Sequence, residues 1–297
     1  MEYVTLHNNV KMPILGFGVY QIPQEETKQA VMDAINTGYR LIDTAQSYFN
    51  EKEVGDAIRE CDVPREELFI TTKVWIDNYG YEKCKKSIQE SLEKLQTDYI
   101  DLVLLHQAFS DYYGAYKALE ELYEEGKIKA IGVSNFNPDR LTDICLFGRK
   151  IVPMVNQIET NPLHQRVFDQ ENMEKYGVQI MAWAPFGEGQ NNMFNNETLL
   201  KIGEKYDKTA AQIILRWLIQ RKVVVVCKST HIERIQQNYD VFDFELSLED
   251  MDEIKKLDTN ESLFFSFTNP EMVEWFNQMV ETRRNQQDAS KEEKAWE

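Results

Sequence analysis

Eight short apolar runs, each followed by a stretch of helical periodicity, constrain the fold of this chain more than any other feature. The runs are LGFGVY (15–20), RLIDTA (40–45), LFITTKV (68–74), IDLVLLH (100–106), AIGVSN (130–135), MVNQIE (154–159), VQIMAWAP (178–185) and VVVVCKS (223–229). Between them lie helical stretches such as EETKQAVMDAINTG, KCKKSIQESLEKLQ, YKALEELYEEG, DQENMEKYG and TAAQIILRWLIQ. Strands that are apolar throughout, rather than at alternate positions, are covered on both faces, as in a parallel sheet. Eight such strand–helix pairs in a row predict an α/β chain folded as a (β/α)8 TIM barrel. Gly38, Gly126 and Gly177 fall where helices should stop, and Pro138 falls where one should start. A doubly wound sheet is the main structural alternative. It usually carries G-x-G-x-x-G after its first strand, where this chain has GFGVYQ.

The opening VTLHNNVKMP predicts an N-terminal β-hairpin with an Asn-Asn turn, a plug for the base of the barrel. The 297 residues suit one large domain, and no internal linker interrupts the repeat, so residues 1–297 are expected to form a single barrel domain. Two polar or mixed loops, 186–196 and 258–272, stand outside the repeat, and the tail after about residue 281 is polar and expected to fray.

The formal net charge is −17, from 50 acidic and 33 basic residues. A surface this acidic repels nucleic acid and anionic membranes, so neither is an expected partner. No run of about 18 apolar residues suggests a membrane span, and the N-terminus reads as no signal peptide. Cys61, Cys84, Cys145 and Cys227 are far apart, which fits reduced thiols and a cytoplasmic location. No apolar stripe is left over for an oligomer contact, which favours a monomer.

Three runs in the first third of the chain end on an ionisable residue: LIDTA around Asp43, LFITTK at Lys73 and LVLLH at His106. A buried strand that ends on such a group must pair it, bury it neutral or use it. Barrel active sites form at the carboxyl ends of the strands, so the three side chains should converge there, with Tyr48 on the loop after the Asp43 strand. A free phenol, with a pKa of about 10, exchanges protons poorly at neutral pH. A neighbouring ammonium lowers that value; Lys73 can supply it and Asp43 can hold Lys73 charged. His106 can hydrogen-bond a substrate oxygen. The set suits protonation of a carbonyl oxygen while hydride arrives at its carbon. Each residue taken alone could equally be structural.

His7, His106, His164 and His231 are isolated, so no metal site is expected and a metal-dependent hydrolase is disfavoured. A nicotinamide is then the natural hydride source. Lys228, Ser229 and Arg234 cluster at the end of the eighth run and the start of a helix, a weak signal of a phosphate site.

Several long motifs, in order, carry a family resemblance: GYRLIDTAQSYFNEKEVG, ITTKVW, DLVLLHQ, GVSNF, VNQIETNP, AWAPFGEG and CKSTHIERIQQN. Through them the chain resembles the aldo-keto reductases from about residue 4 to 280. The resemblance implies hydride transfer from NADPH to a small-molecule aldehyde or ketone. It implies a catalytic tetrad of Asp43, Tyr48, Lys73 and His106, with Tyr48 as general acid. Ser134, Asn135 and Gln157 match the binders of the nicotinamide carboxamide, and Trp183 matches the ring that stacks on the nicotinamide. The backbone of Ala184, Phe186 and Gly187 matches part of the pyrophosphate cradle. Lys228, Ser229 and Arg234 match the clamp on the 2′-phosphate of NADP, with Gln237 and Asn238 beside the adenine. Gly18, Val19 and Thr230 complete the implied cofactor contacts. Tyr20, Trp75, His106 and Phe109, with the loop around Phe264 and Phe265, are expected to wall the substrate. Three positions depart from the common pattern: Cys227 stands in place of a proline, Gln237 of a glutamate and Gln107 of an aromatic. A second reading is an NADP(H)-binding sensor or regulatory subunit with little turnover.

Overall fold

The computed structural model describes residues 1–147 and 150–295, with side chains given through residue 283. It begins with a hairpin, β1 (Tyr3–Thr5) and β2 (Lys11–Pro13), paired antiparallel. Asn9, at φ 68°, helps to turn the chain between them.

Eight strands then alternate with helices. They are β3 (Leu15–Gly18), α1 (Gln24–Thr37), β4 (Leu41–Asp43), α2 (Glu51–Glu60), β5 (Phe69–Val74), α3 (Tyr81–Leu95), β6 (Leu102–Leu105), α4 (Tyr112–Glu124), β7 (Ile131–Ser134), α5 (Pro138–Leu146), β8 (Val155–Glu159), α6 (Val167–Lys175) and β9 (Gln179–Trp183). Two helices, α7 (Glu197–Tyr206) and α8 (Ala210–Gln220), precede the last barrel strand, β10 (Val224–Cys227), and α9 (Ile232–Tyr239) and α10 (Leu248–Lys255) follow it. The strands close into a parallel barrel in the order β10-β3-β4-β5-β6-β7-β8-β9. This is the (β/α)8 barrel with its N-terminal hairpin, as the sequence pattern predicts.

The physical reason lies in the strands. Every residue of β3 to β8 and of β10 is buried, so each strand needs a cover on both faces and only a ring of helices supplies it. Local signals set the helix ends. Thr209 and Gln212 form a reciprocal capping box on α8, Pro138 opens α5, and Gly38 at φ 123° closes α1.

The outer ring is tight at α2 against α3. A Cβ on Gly55 would lie 2.2 Å from the Lys94 carbonyl oxygen and 2.8 Å from the Leu95 backbone. Gly55→Ala must push two helix backbones apart, and we expect a stability loss of about 1–3 kcal/mol. An unchanged urea midpoint would show that α2 and α3 separate freely.

The chain divides into two compact units, Met1–Leu263 and Phe264–Glu297. The second consists of an aromatic turn, with Phe265 and Phe267 ring centroids 4.7 Å apart, and a long helix, α11 (Pro270–Ala295). This helix runs through the polar tail after about residue 281, to Ala295. After Pro270 it contains no glycine or proline and is rich in Glu, Gln, Lys and Arg, all good helix formers.

Candidate active site

Asp43 ends β4, Lys73 lies near the end of β5 and His106 follows β6, all at the carboxyl end of the barrel. Lys73 is fully buried among apolar strand residues. It survives there because three acceptors surround its ammonium: Asp43 Oδ1 at 2.5 Å, the Thr44 carbonyl at 2.9 Å and Tyr48 Oη at 3.3 Å. Asp43 has a second donor, the Gln157 amide, at 3.0 Å on Oδ2. Tyr48 ends a single 3-10 turn, Gln46–Tyr48, which Phe49 closes at φ 60°. Its ring meets Tyr20 at 4.9 Å and His106 edge-on at 5.8 Å, and Trp75 packs edge-on against His106 at 5.2 Å. The four ionisable side chains and the aromatic walls Tyr20 and Trp75 thus share one rim. Phe109, half-buried, lies on the loop after His106.

The electrostatics correct one expectation. Lys73 was expected to lower the Tyr48 phenol. Instead burial pushes that phenol well above its ordinary value, and the charges of Asp43, Tyr20 and Glu188 add to the shift. Burial also pushes the Lys73 ammonium below its usual range, against the pull of Asp43. The paired Asp43 carboxylate offsets part of the Lys73 field, so burial decides the direction of the shift.

A second group of residues ties the strand ends together. The Asn135 amide donates to the His106 carbonyl at 3.0 Å and to Ser134 Oγ at 3.2 Å, and its oxygen accepts from Trp183 Nε1 at 2.9 Å. Ser134 Oγ donates to the Gln157 carbonyl at 2.9 Å. Ser134, Asn135, Gln157 and Trp183 are therefore brought together, each with a protein partner. Among the described residues no donor reaches Gln157 Oε1. Asn135 (φ 60°) and Ala184 (φ 47°) hold left-handed backbone just past β7 and β9. For alanine that costs on the order of 1–2 kcal/mol. Gly187, at φ 55°, follows at the start of a broken 3-10 segment, Gly187–Asn195, with Phe186 just before it.

Gly18 closes β3 and Val19 follows it, its amide on the Asp43 carbonyl at 3.1 Å. At the end of β10, Lys228 and Thr230 are exposed and Ser229 is buried; on α9, Arg234 and Gln237 are exposed and Asn238 is buried. Ser229 Oγ accepts from the His231 amide at 3.0 Å and so shapes the start of α9. No carboxylate pairs with Lys228 or Arg234 among the described residues. Cys227, the departure from proline, is a core residue: its Sγ lies 3.6 Å from Tyr39 Oη and 3.8 Å from the Gly16 carbonyl, and burial pushes the thiol up to about 12.

Sequence reasoning missed two groups here. Glu159 ends β8 as Asp43 ends β4, and the same strand-end rule could have found it. It accepts from Asn161 Nδ2 (3.1 Å), Ser262 Oγ (2.6 Å) and the Leu263 amide (3.0 Å), and so clamps the loop after α10. Gln46 was also missed. Its oxygen accepts from the Trp75 amide (3.0 Å) and Asn78 Nδ2 (2.8 Å), while its nitrogen donates to Ser91 Oγ (3.2 Å). No spacing signal marks it.

Fold and rim together define a parallel-barrel enzyme with proton-handling groups at its carboxyl end. The model of the Aldo/keto reductase family matches residues 14–259, and the chain belongs to that family. The glyoxal reductase of Bacillus subtilis (strain 168) is 47% identical over 262 residues, spanning 88% of this chain and 94% of the relative. A crystal structure of an aldo-keto reductase from a Medee basin deep-sea metagenome library superposes with a TM-score of 0.87 at 47% identity, covering 90% of this chain and 98% of that one. A Bombyx mori aldo-keto reductase in complex with NADP superposes with a TM-score of 0.84 at 34% identity, covering 89% of this chain and 95% of that one. The chain is thus an oxidoreductase of the carbonyl-reducing kind.

Proposed function

We propose that the chain reduces small aldehydes and ketones to alcohols with NADPH, with Tyr48 as general acid. The observation that carries this is the convergence of Asp43, Lys73, Tyr48 and His106 on one rim, with Lys73 Nζ 3.3 Å from the phenol oxygen. The residues around that rim fit a nicotinamide cofactor. Trp183 offers an indole face fixed by its bond to Asn135, Gln157 Oε1 can accept from a carboxamide, and the left-handed turn at Ala184–Gly187 can approach a pyrophosphate closely. Gly18 and Val19 lie at the neighbouring strand end. Two exposed cations, Lys228 and Arg234, with no carboxylate partner among the described residues, stand with Ser229 and Thr230 at the start of α9 in a chain of net charge −17, a donor set suited to a 2′-phosphate. Gln237 and Asn238 lie one turn further along α9, and in this reading they would meet the adenine. The NADP complex of the Bombyx mori protein supports the same choice.

When bound, the reduced nicotinamide supplies hydride. Tyr48 Oη gives its proton to the substrate oxygen. Lys73 stabilises the phenolate that forms, and Asp43 holds Lys73 in place. His106 donates a hydrogen bond to the same oxygen, and Tyr20, Trp75 and Phe109 wall the carbonyl compound. Alcohol oxidation runs through the same groups in reverse. The glyoxal reductase relative makes a short 2-oxoaldehyde the first substrate to try. We infer one functional barrel acting as a monomer, and the four free thiols support a cytoplasmic setting.

The test is turnover of a panel of aldehydes with NADPH and with NADH. NADPH is expected to be strongly preferred, and Arg234→Ala should raise its KM about 10-fold or more while barely touching NADH, since one charge-assisted hydrogen bond contributes about 1.5–3 kcal/mol. Tight NADPH binding without turnover would overturn the proposal in favour of a sensor.

The pH profile follows from the direction of the Tyr48 shift. An acid must be protonated to donate, and a raised value moves its loss to more alkaline solution. The kcat for reduction should therefore not fall between about pH 6 and 9, below the ordinary phenol value of about 10. A decline beginning near neutrality would show that Lys73 depresses the phenol after all.

A further inference from the structure

The 3-10 turn Gln46–Tyr48 touches three sides of the rim with three consecutive side chains. Gln46 holds the Trp75 amide at 3.0 Å, Tyr48 Oη accepts from Lys73 at 3.3 Å, and Ser47 Oγ lies 3.4 Å from His106 Nδ1. The histidine backbone is already fixed. Its amide donates to the Val74 carbonyl at 3.1 Å, and its carbonyl accepts from Asn135. Trp75 and Tyr48 pack edge-on against the ring. What these contacts do not set is which ring nitrogen carries the proton. A neutral imidazole has one donor and one acceptor nitrogen, and the bond made by one nitrogen decides the state of the other.

We propose that Ser47 is a positioning residue that sets the tautomer of His106: its hydroxyl donates to Nδ1, so that Nε2 carries the proton. The choice of direction is chemical. A substrate carbonyl presents lone pairs, so the imidazole can steady it only through an N–H. Were Nδ1 to hold the proton and donate to Ser47, the other nitrogen would turn a lone pair toward the substrate oxygen and repel it. The 3.4 Å separation is long for such a bond, as is common before substrate binds. The turn gives the contact its reach: the residue that fixes the histidine directly precedes the acid Tyr48, so one backbone segment places both donors.

This role rests on the carbonyl reduction proposed above, but its decisive measurement needs no substrate. In the full-length wild-type chain labelled with 15N-histidine, the His106 nitrogen shifts should report Nε2–H as the dominant form. In Ser47→Ala they should move toward a mixture with Nδ1–H. In kinetics, Ser47→Ala should lower kcat for aldehyde reduction about tenfold, the scale of one lost hydrogen bond, with the KM for NADPH unchanged. Ser47→Thr keeps the hydroxyl and should restore both signals. A wild-type spectrum dominated by Nδ1–H overturns the assignment. So does a Ser47→Ala variant that loses activity while its ring-nitrogen shifts stay put, which would mark a merely structural serine. Failure of the wild type to turn over any aldehyde would sink the carbonyl-reduction proposal instead, and the nitrogen shifts would still decide the role of Ser47.

Discussion

Tyr48→Phe is expected to lower kcat for aldehyde reduction by about 10²–10⁴-fold, the contribution of a positioned general acid. The substitution removes one oxygen and leaves the ring that packs between Tyr20 and His106. The pocket walls should therefore persist, and NADPH affinity, measured by fluorescence titration, should change by less than about twofold, a few tenths of a kcal/mol. The KM for the aldehyde should also move little, because the proton is given only in the transition state. The structure accounts for why the phenol is fit to donate: burial holds it protonated, while the ammonium at 3.3 Å receives the charge left after transfer. Retention of more than a few per cent of turnover would remove Tyr48 from the acid role.

Lys73→Met is expected to destabilise the fold by about 3–5 kcal/mol, because it leaves a buried carboxylate without its cation. The lower end is the better expectation here, since Gln157 still donates to Asp43 Oδ2. Joining it to Asp43→Leu should recover most of that loss, as apolar replacements of buried pairs often do. Activity should not return, because neither the counter-charge for Tyr48 nor its anchor is restored. Urea unfolding of the two variants, with turnover measured beside it, separates the parts. A double variant as unstable as the single would show that the pair holds the barrel together rather than serving the rim. A double variant that regained turnover would show the pair to be dispensable for chemistry.

Much of this was legible in the sequence because its signals are local or periodic. The barrel strands are apolar throughout, which distinguishes doubly covered strands from half-exposed ones, and Pro138 and Gly38 lie at helix ends as expected. Asp43, Lys73 and His106 stood out because an ionisable residue that ends an apolar run demands a partner. Glu159 obeys the same rule, but two of its three partners, Ser262 and the Leu263 amide, lie over one hundred residues away, so the loop it clamps is invisible in the sequence. The direction of the Tyr48 shift is hidden from the sequence for a related reason. Residue types show that a cation and a phenol meet, but only packing shows how far burial and the Asp43 charge outweigh the cation. Ser47 and Gln46 carried no signal at all: in sequence they are two polar residues in a loop, and their roles appear only when the turn places them against His106 and Trp75. The helix α11 shows the converse: its helix formers are as visible in the sequence as its polarity.

The most direct test follows the hydrogen itself. With NADPH deuterated at C4 of the nicotinamide and glyoxal as substrate, the alcohol product should carry deuterium on its new carbinol carbon, and the hydroxyl hydrogen should come from solvent. A product whose carbinol carbon takes its hydrogen from water would contradict hydride delivery at this rim.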